Sequence, residues 1–211
     1  FVVDEILRKD FYNYIWDKKK WGEPLVLVST ISPGPYKGIE TLLRTASILK
    51  KNAKFPFRWK IIGLCDSDKW LKMAVKLTGI SPRSCNVELC GRLTSEEMAP
   101  LMQECDIYCH VSHIENSPNS VCEAMLLGMP VVATFVGGTP SMLKHQNEGL
   151  LVQDGEPYSL ASVICWLHLN FSKALEMATN ARKRALWRHD PERIGKELVD
   201  VYLHIINDFK I

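Results

Sequence analysis

From Leu25 onward, short apolar runs alternate with stretches whose apolar positions recur at helical spacing. The runs Leu25–Ser29, Phe57–Ile62, Asn86–Leu89, Ile107–His110, Val131–Thr134 and Leu150–Val152 read as strands. Between them, Gly38–Lys50, Lys69–Leu77, Ser95–Gln103, Ser120–Leu127 and Pro140–Lys144 read as helices. Strands separated by helices of this length predict βαβ units and a parallel sheet covered on both faces. Helix starts carry their own signals. Thr94-x-x-Glu97 is a capping box, Thr139 precedes Pro140 as N-cap before an N1 proline, and Asp190-Pro191 repeats that pattern. After Val152 the strands stop, and Tyr158–His168, Ser172–Trp187 and Pro191–Asp208 predict three closing helices. The expected fold is α/β: a doubly wound parallel sheet with C-terminal helices. Residues 1–24 read as a linker with a leading helix, 25–190 as the α/β domain and 191–211 as the last helix.

Composition narrows the functional classes. The chain has 211 residues, 46% of them hydrophobic, and a net charge of only +2. The lysines of 18–20 and 50–51 fall at predicted helix ends, and no basic stripe interleaved with aromatics suggests nucleic acid as a partner. No apolar run reaches the roughly 18 residues of a membrane span. Seven scattered cysteines, an odd number, read as reduced core residues of a cytoplasmic protein. Cys105, Cys109, His110 and His113 invite a zinc reading. Neighbours on a strand point to opposite faces, however, and no CxxC accompanies them, so no metal is expected. The chain opens on Phe1 rather than Met, which suggests a piece of a longer protein.

The chemistry concentrates in HIENSPNSVCEAMLLGMPVVATFVGGTP. Glu115 precedes a predicted helix start and Glu123 ends that helix's first turn, with Ser117, Asn119 and Ser120 between them. A helix N-terminus favours an anion, and nearby carboxylates accept hydroxyl protons. A ligand with both phosphates and hydroxyls, such as a nucleotide-sugar, suits that combination. The residues also allow plainer readings: Ser120-x-x-Glu123 is a capping box, Glu115 an exposed loop acid, and Lys37 a solvated loop lysine. Gly63, Gly91, Gly137 and Gly138 follow strand ends, where most of them read as turns. Ligands of such sheets bind beyond the strands' carboxyl ends, at the switch point.

The span from Leu25 to about Ala161 resembles the nucleotide-sugar-binding, C-terminal half of a GT-B fold glycosyltransferase, most of all the family 4 retaining enzymes. The resemblance rests on Lys37-Gly38, Gly91-Arg92-Leu93, Cys105-Asp106-Ile107, Ser112, the E-x7-E pair Glu115 and Glu123, Gly128-Met129-Pro130, Gly137-Gly138 and Glu148-Gly149-Leu150, in that order. It implies a Rossmann-like half-enzyme taking a UDP- or GDP-sugar, without cofactor or metal, and passing the sugar to a glycan or lipid-linked acceptor. By resemblance, Glu123 binds ribose hydroxyls and Glu115 lies beside the donor sugar. Ser117, Asn119 and Ser120 contact sugar and diphosphate, Lys37 neutralises the diphosphate, and Gly91, Arg92 and Leu93 hold the base. Glu115 and Lys37 are the catalytic candidates. The last helix would return toward a missing N-terminal domain that supplies acceptor groups, so the fragment alone would transfer nothing. The resemblance places such enzymes in polysaccharide biosynthesis, in the cytoplasm or peripherally at the inner membrane face.

Three departures stand out. The family's arginine five or six residues before the lysine is replaced by Thr30, Ile31 and Ser32. Its place in the phosphate clamp would fall to Arg92 or to the absent half. Pro118 stands where many members have glycine, and Ser141 where a glutamate often follows the glycine pair. A nucleotide-sugar epimerase on the same scaffold and a non-catalytic nucleotide-sugar-binding module are the rival readings.

Overall fold

The computed structural model describes residues 1–208. Six parallel strands form one sheet in the order β3-β2-β1-β4-β5-β6: β1 Leu25–Thr30, β2 Phe57–Ile62, β3 Val87–Gly91, β4 Ile107–His110, β5 Val131–Thr134 and β6 Leu150–Val152. The helices are α1 Ile39–Asn52, α2 Lys69–Thr78, α3 Ser95–Gln103, α4 Asn119–Leu127, α5 Thr139–Met142, α6 Pro157–Leu169, α7 Phe171–Arg188 and α8 Pro191–Asp208. Side chains alternate across the sheet, so neighbouring strand residues feed two separate cores. Leu27, Trp59, Ile61 and Cys109 pack with α1, α2 and α6, while Val28, Ile62, Tyr108 and Ala133 pack with α3, α4 and part of α7. The α/β expectation holds, with helices on both faces. The chain reverses direction across the sheet between β1 and β4, and that switch point opens the cleft where the site lies.

The opening segment departs from the expected leading helix. Its only regular stretch is a 3-10 helix, Lys9–Tyr12. Leu7, Phe11 and Trp16 are buried against α3 and α4, so tertiary packing fixes this segment in place of a repeating helical face. Trp16 donates its backbone N–H to the Leu127 carbonyl (2.7 Å) and its indole N–H to that of Cys105 (2.8 Å). The fully buried Asp106 accepts from Lys18 Nζ, Gly22 N and Val26 N, which satisfies a charge that would otherwise be costly. These ties lead the chain from the α3–α4 face into β1. Two further helix starts differ from expectation. Helix α5 ends at Met142 with Gly138, not Thr139, as N-cap, because Leu143 is already extended. Helix α4 begins at Asn119 with Pro118 as N-cap. Residues 209–211 of the expected last helix lie outside the described residues.

Candidate functional site

Two tight backbone approaches fix the loop between β4 and α4. Gly38, at φ +67°, has so little room that a Cβ would come within 1.8 Å of the Val111 carbonyl oxygen. A Cβ on Gly137, at φ +48°, would sit 1.7 Å from the Glu115 carbonyl oxygen. Only glycine permits both the left-handed conformation and the contact. Gly63 and Gly138 also abut backbone, at Ile31 and Asn116, so three of the four glycines first read mainly as turns are close approaches; only Gly91 is open around its Cα. Gly137→Ala should therefore cost more than about 2 kcal/mol in stability, from left-handed strain plus a displaced loop. A thermal melt matching the unsubstituted chain would show that the loop yields freely.

A cavity of about 560 Å³ opens at the carboxyl ends of β1 and β4, within the range of ligand pockets. Seven of the nine sequence candidates line it: Lys37, Arg92, Leu93, Glu115, Ser117, Asn119 and Ser120. Gly91 ends β3 behind Arg92 and does not line the cavity. Neither does Glu123, because another residue covers it. Thr30, Ile31 and Ser32, which replace the expected arginine, form part of the wall. Helix α4 starts at this cavity without a side-chain cap, whereas α3 carries its full capping box. The Asn119 and Val121 amides already donate to the Ser117 and Pro118 carbonyls (2.9 Å each), which leaves the Ser120 amide for a ligand, and the helix's positive end suits an anion.

Lys37 and Glu115 are each other's partners. The Lys37 ammonium donates to Glu115 Oε1 (2.5 Å), and His110 Nε2 lies 3.3 Å from the same oxygen. Burial pushes the Glu115 carboxyl up, but hydrogen bonds from His110, Lys37 and Ser112 outweigh it and hold the group at about 2. Glu115 is thus a carboxylate at any ordinary pH, suited to stabilising positive charge and unsuited to delivering a proton. A carboxyl depressed in this way contributes stability above its unfolded value and loses it as pH falls through the folded one. The contribution of this carboxyl should be complete above about pH 4.5, shrink below that and be gone near pH 2, which an acid titration of Glu115 and of stability together would check.

Glu123 corrects the sequence reading. The Ser120 capping box does not form, because the helix already starts at Asn119; the buried Tyr108 hydroxyl pairs with Thr30 (2.8 Å). Glu123 lies in the second turn of α4, its side chain only 3% exposed, and both oxygens accept from Arg8: Nε at 2.6 Å and NH2 at 2.7 Å. Burial pushes the Glu123 carboxyl up, and the guanidinium pulls it only part of the way back. Arg8 itself is 45% exposed and lines the cavity in front of Glu123, held there by the burial of Leu7 and Phe11 on either side. The cavity therefore has three cations: Arg8, Lys37 and Arg92.

Sequence reasoning missed Arg8 and His110. Arg8 pairs across 115 positions, and nothing local marks it. His110 carried a signal, a polar residue at the ligand end of an apolar strand, but was weighed only as a zinc ligand. Among the described residues, no cluster of three or more His, Cys, Asp or Glu side chains is placed to hold a metal ion. No described helix is long and apolar enough to cross a membrane.

The chain is similar to known proteins over most of its length. The family described as Glycosyl transferases group 1 matches residues 23–170. The amylovoran biosynthesis glycosyltransferase AmsK of Erwinia amylovora is 27% identical over 185 residues, which are 85% of this chain and 44% of that protein. The chain thus spans under half the length of that curated relative. The Anabaena protein HepE, solved in complex with UDP-glucose, is 25% identical with a TM-score of 0.72, covering 85% of this chain and 49% of its own. A solved C-terminal domain of a group 1 glycosyl transferase from Francisella tularensis superposes with a TM-score of 0.63 at 20% identity. It covers 87% of this chain and 95% of that domain. A parallel six-stranded α/β sheet of GT-B type and a family match over residues 23–170 lead to one conclusion: the chain belongs to the group 1 glycosyl transferases.

Proposed function

We propose that this chain is the donor-binding half of a retaining glycosyltransferase that uses a nucleotide-diphospho-sugar, with UDP-glucose as the first donor to test. The observation that carries the reading is the convergence of three cations and a helix start without a side-chain cap on one cavity that Glu115 lines, with Glu123 behind Arg8. The relative solved with UDP-glucose supports the choice of nucleotide. In this reading the diphosphate lies between Lys37 and the first turn of α4. The negative charge that develops as it leaves is stabilised by preorganised donors. The Arg92-Leu93 segment holds the base, and Glu115, always ionised, faces the sugar's developing positive charge. Ribose hydroxyls reach Glu123 once the half-exposed Arg8 side chain swings off it, its backbone staying anchored by Leu7 and Phe11. The released guanidinium then adds to the charge facing the diphosphate, in the role of the arginine replaced by Thr30, Ile31 and Ser32. The acceptor, a glycan or a lipid-linked sugar of a polysaccharide pathway, would meet groups from an N-terminal domain. No metal is invoked.

Calorimetric titration with UDP and with uridine tests where the diphosphate sits. Lys37→Ala should weaken UDP binding by about 1.5–3 kcal/mol and leave uridine nearly unaffected, because only UDP presents phosphates. Equal losses for both ligands would make Lys37 structural and move the clamp to Arg92 and Arg8. A chelator added to the same titration should change nothing.

A further inference from the structure

His113 sits midway along the β4–α4 loop, between His110 and the Glu115 carboxylate, and has no place in the chemistry above. Each of its ring nitrogens meets a carboxylate: Nδ1 faces Asp154 Oδ1 at 2.5 Å, and Nε2 faces Glu40 Oε1. Glu40 is the second residue of α1, and Asp154 lies in the turn after β6. The His113 backbone N–H donates to the Tyr36 carbonyl (2.8 Å), on the loop that carries Lys37. One side chain thus joins three separate parts of the fold, two of them the loops that carry Lys37 and Glu115.

We propose that His113 is a positioning residue of the nucleotide site: as an imidazolium it clasps the β4–α4 loop to α1 and to the β6–α6 turn, and so keeps Glu115 and Lys37 in register. The argument is one of donors and acceptors. An ionised carboxylate only accepts, and a neutral imidazole has a single N–H, so it can serve one of the two carboxylates and turns a lone pair on the other. Both contacts are satisfied only with both nitrogens protonated. The charged groups that face the ring are Glu40 from α1 and Asp154 from the turn after β6, while Lys37 and Glu115, on the two loops it joins, are paired with each other. Burial pulls the imidazole down, but the hydrogen bonds and charges of Asp154 and Glu40 raise it overall. A raised folded value sets the sign: the clasp is complete below the ordinary histidine value and is lost as pH rises through the folded one.

The inference rests on the nucleotide-binding reading for its consequence and not for its geometry, so the experiment has two readouts. Ring nitrogen shifts of His113 in the full chain, from pH 6 to 9, should show both nitrogens protonated at pH 7 and a midpoint above about 6.5. UDP affinity over the same range should fall through that midpoint by about tenfold, which is a one-unit difference in His113 pKa between free and UDP-bound chain. His113→Gln should bind UDP weakly and without that pH dependence. If the variant is too unstable to study, Asp154→Asn, which keeps the histidine and Glu40, should lower the midpoint and weaken UDP binding. A ring that titrates at or below the ordinary value overturns the clasp. UDP affinity in the folded variants equal to that of the unsubstituted chain overturns the positioning role. Failure of the unsubstituted chain to bind UDP at any pH sinks the nucleotide reading and the positioning role with it, while the ring shifts still decide the clasp.

Discussion

Replacing Glu123 with glutamine is expected to weaken UDP and uridine alike, by about 1.5–3 kcal/mol, or roughly 10- to 150-fold. Both ligands carry the ribose, and glutamine offers one acceptor oxygen where the carboxylate offers two charged ones. This signature is opposite to that of Lys37→Ala, which should separate the two ligands. The substitution also breaks one arm of the Arg8 pair. Arg8 is nearly half exposed and can hydrate, so the cost in stability should stay within about 1 kcal/mol, as for other partly solvated pairs. Arg8→Ala is the harsher change, because it leaves a buried carboxylate without its cation. Lost stability in Glu123→Gln with unchanged affinity for both ligands would reduce Glu123 to an anchor for the opening segment.

The second large effect belongs to Glu115, measured in the longer protein of which this chain would be the donor half. Glu115→Gln should lower turnover by about a hundredfold or more, the scale of removing one preorganised charge from a reacting centre. UDP affinity should hold or rise slightly, because Lys37 is released from its present partner and becomes free for the diphosphate. A turnover loss matched by an equal loss of UDP affinity would place Glu115 on the nucleotide.

The contrast between Glu115 and Glu123 shows where the sequence was legible. The strands at Phe57–Ile62, Ile107–His110, Val131–Thr134 and Leu150–Val152 lie where the apolar runs place them; the last three are buried throughout, and in Phe57–Ile62 the polar Arg58 and Lys60 alternate with buried apolar residues. The Thr94 capping box formed because both of its partners lie within one turn. The Ser120 box satisfied the same local rule and did not form. Helix α4 starts one residue earlier, at Asn119, and Arg8 takes the glutamate. Tertiary partners won over the local pattern.

The residues of the cavity were legible as a group, but their pairing was not. Lys37 was expected to face a ligand's phosphate; nothing in its neighbourhood marked the Glu115 carboxylate, 78 positions away, as its partner in the free chain. The opening segment shows the same limit. Leu7 and Phe11 stand at helical spacing, yet only Lys9–Tyr12 is regular, because Leu7, Phe11 and Trp16 are held by packing against α3 and α4. No property of residues 1–24 alone indicates that Arg8 would cover a carboxylate on α4. The glycines mark a further boundary. Sequence identifies Gly137 as a permissive residue, while the reason it must be glycine is a carbonyl oxygen of Glu115, 22 positions earlier.

The most direct test of the central claim is a crystal structure of this chain with UDP. The expected result puts the diphosphate within hydrogen-bond reach of Lys37 and the first amides of α4, with the ribose hydroxyls on Glu123 and Arg8 swung away from that carboxylate. UDP bound elsewhere, or bound in the cavity with the Arg8–Glu123 pair intact and the ribose turned from it, would contradict the assignment.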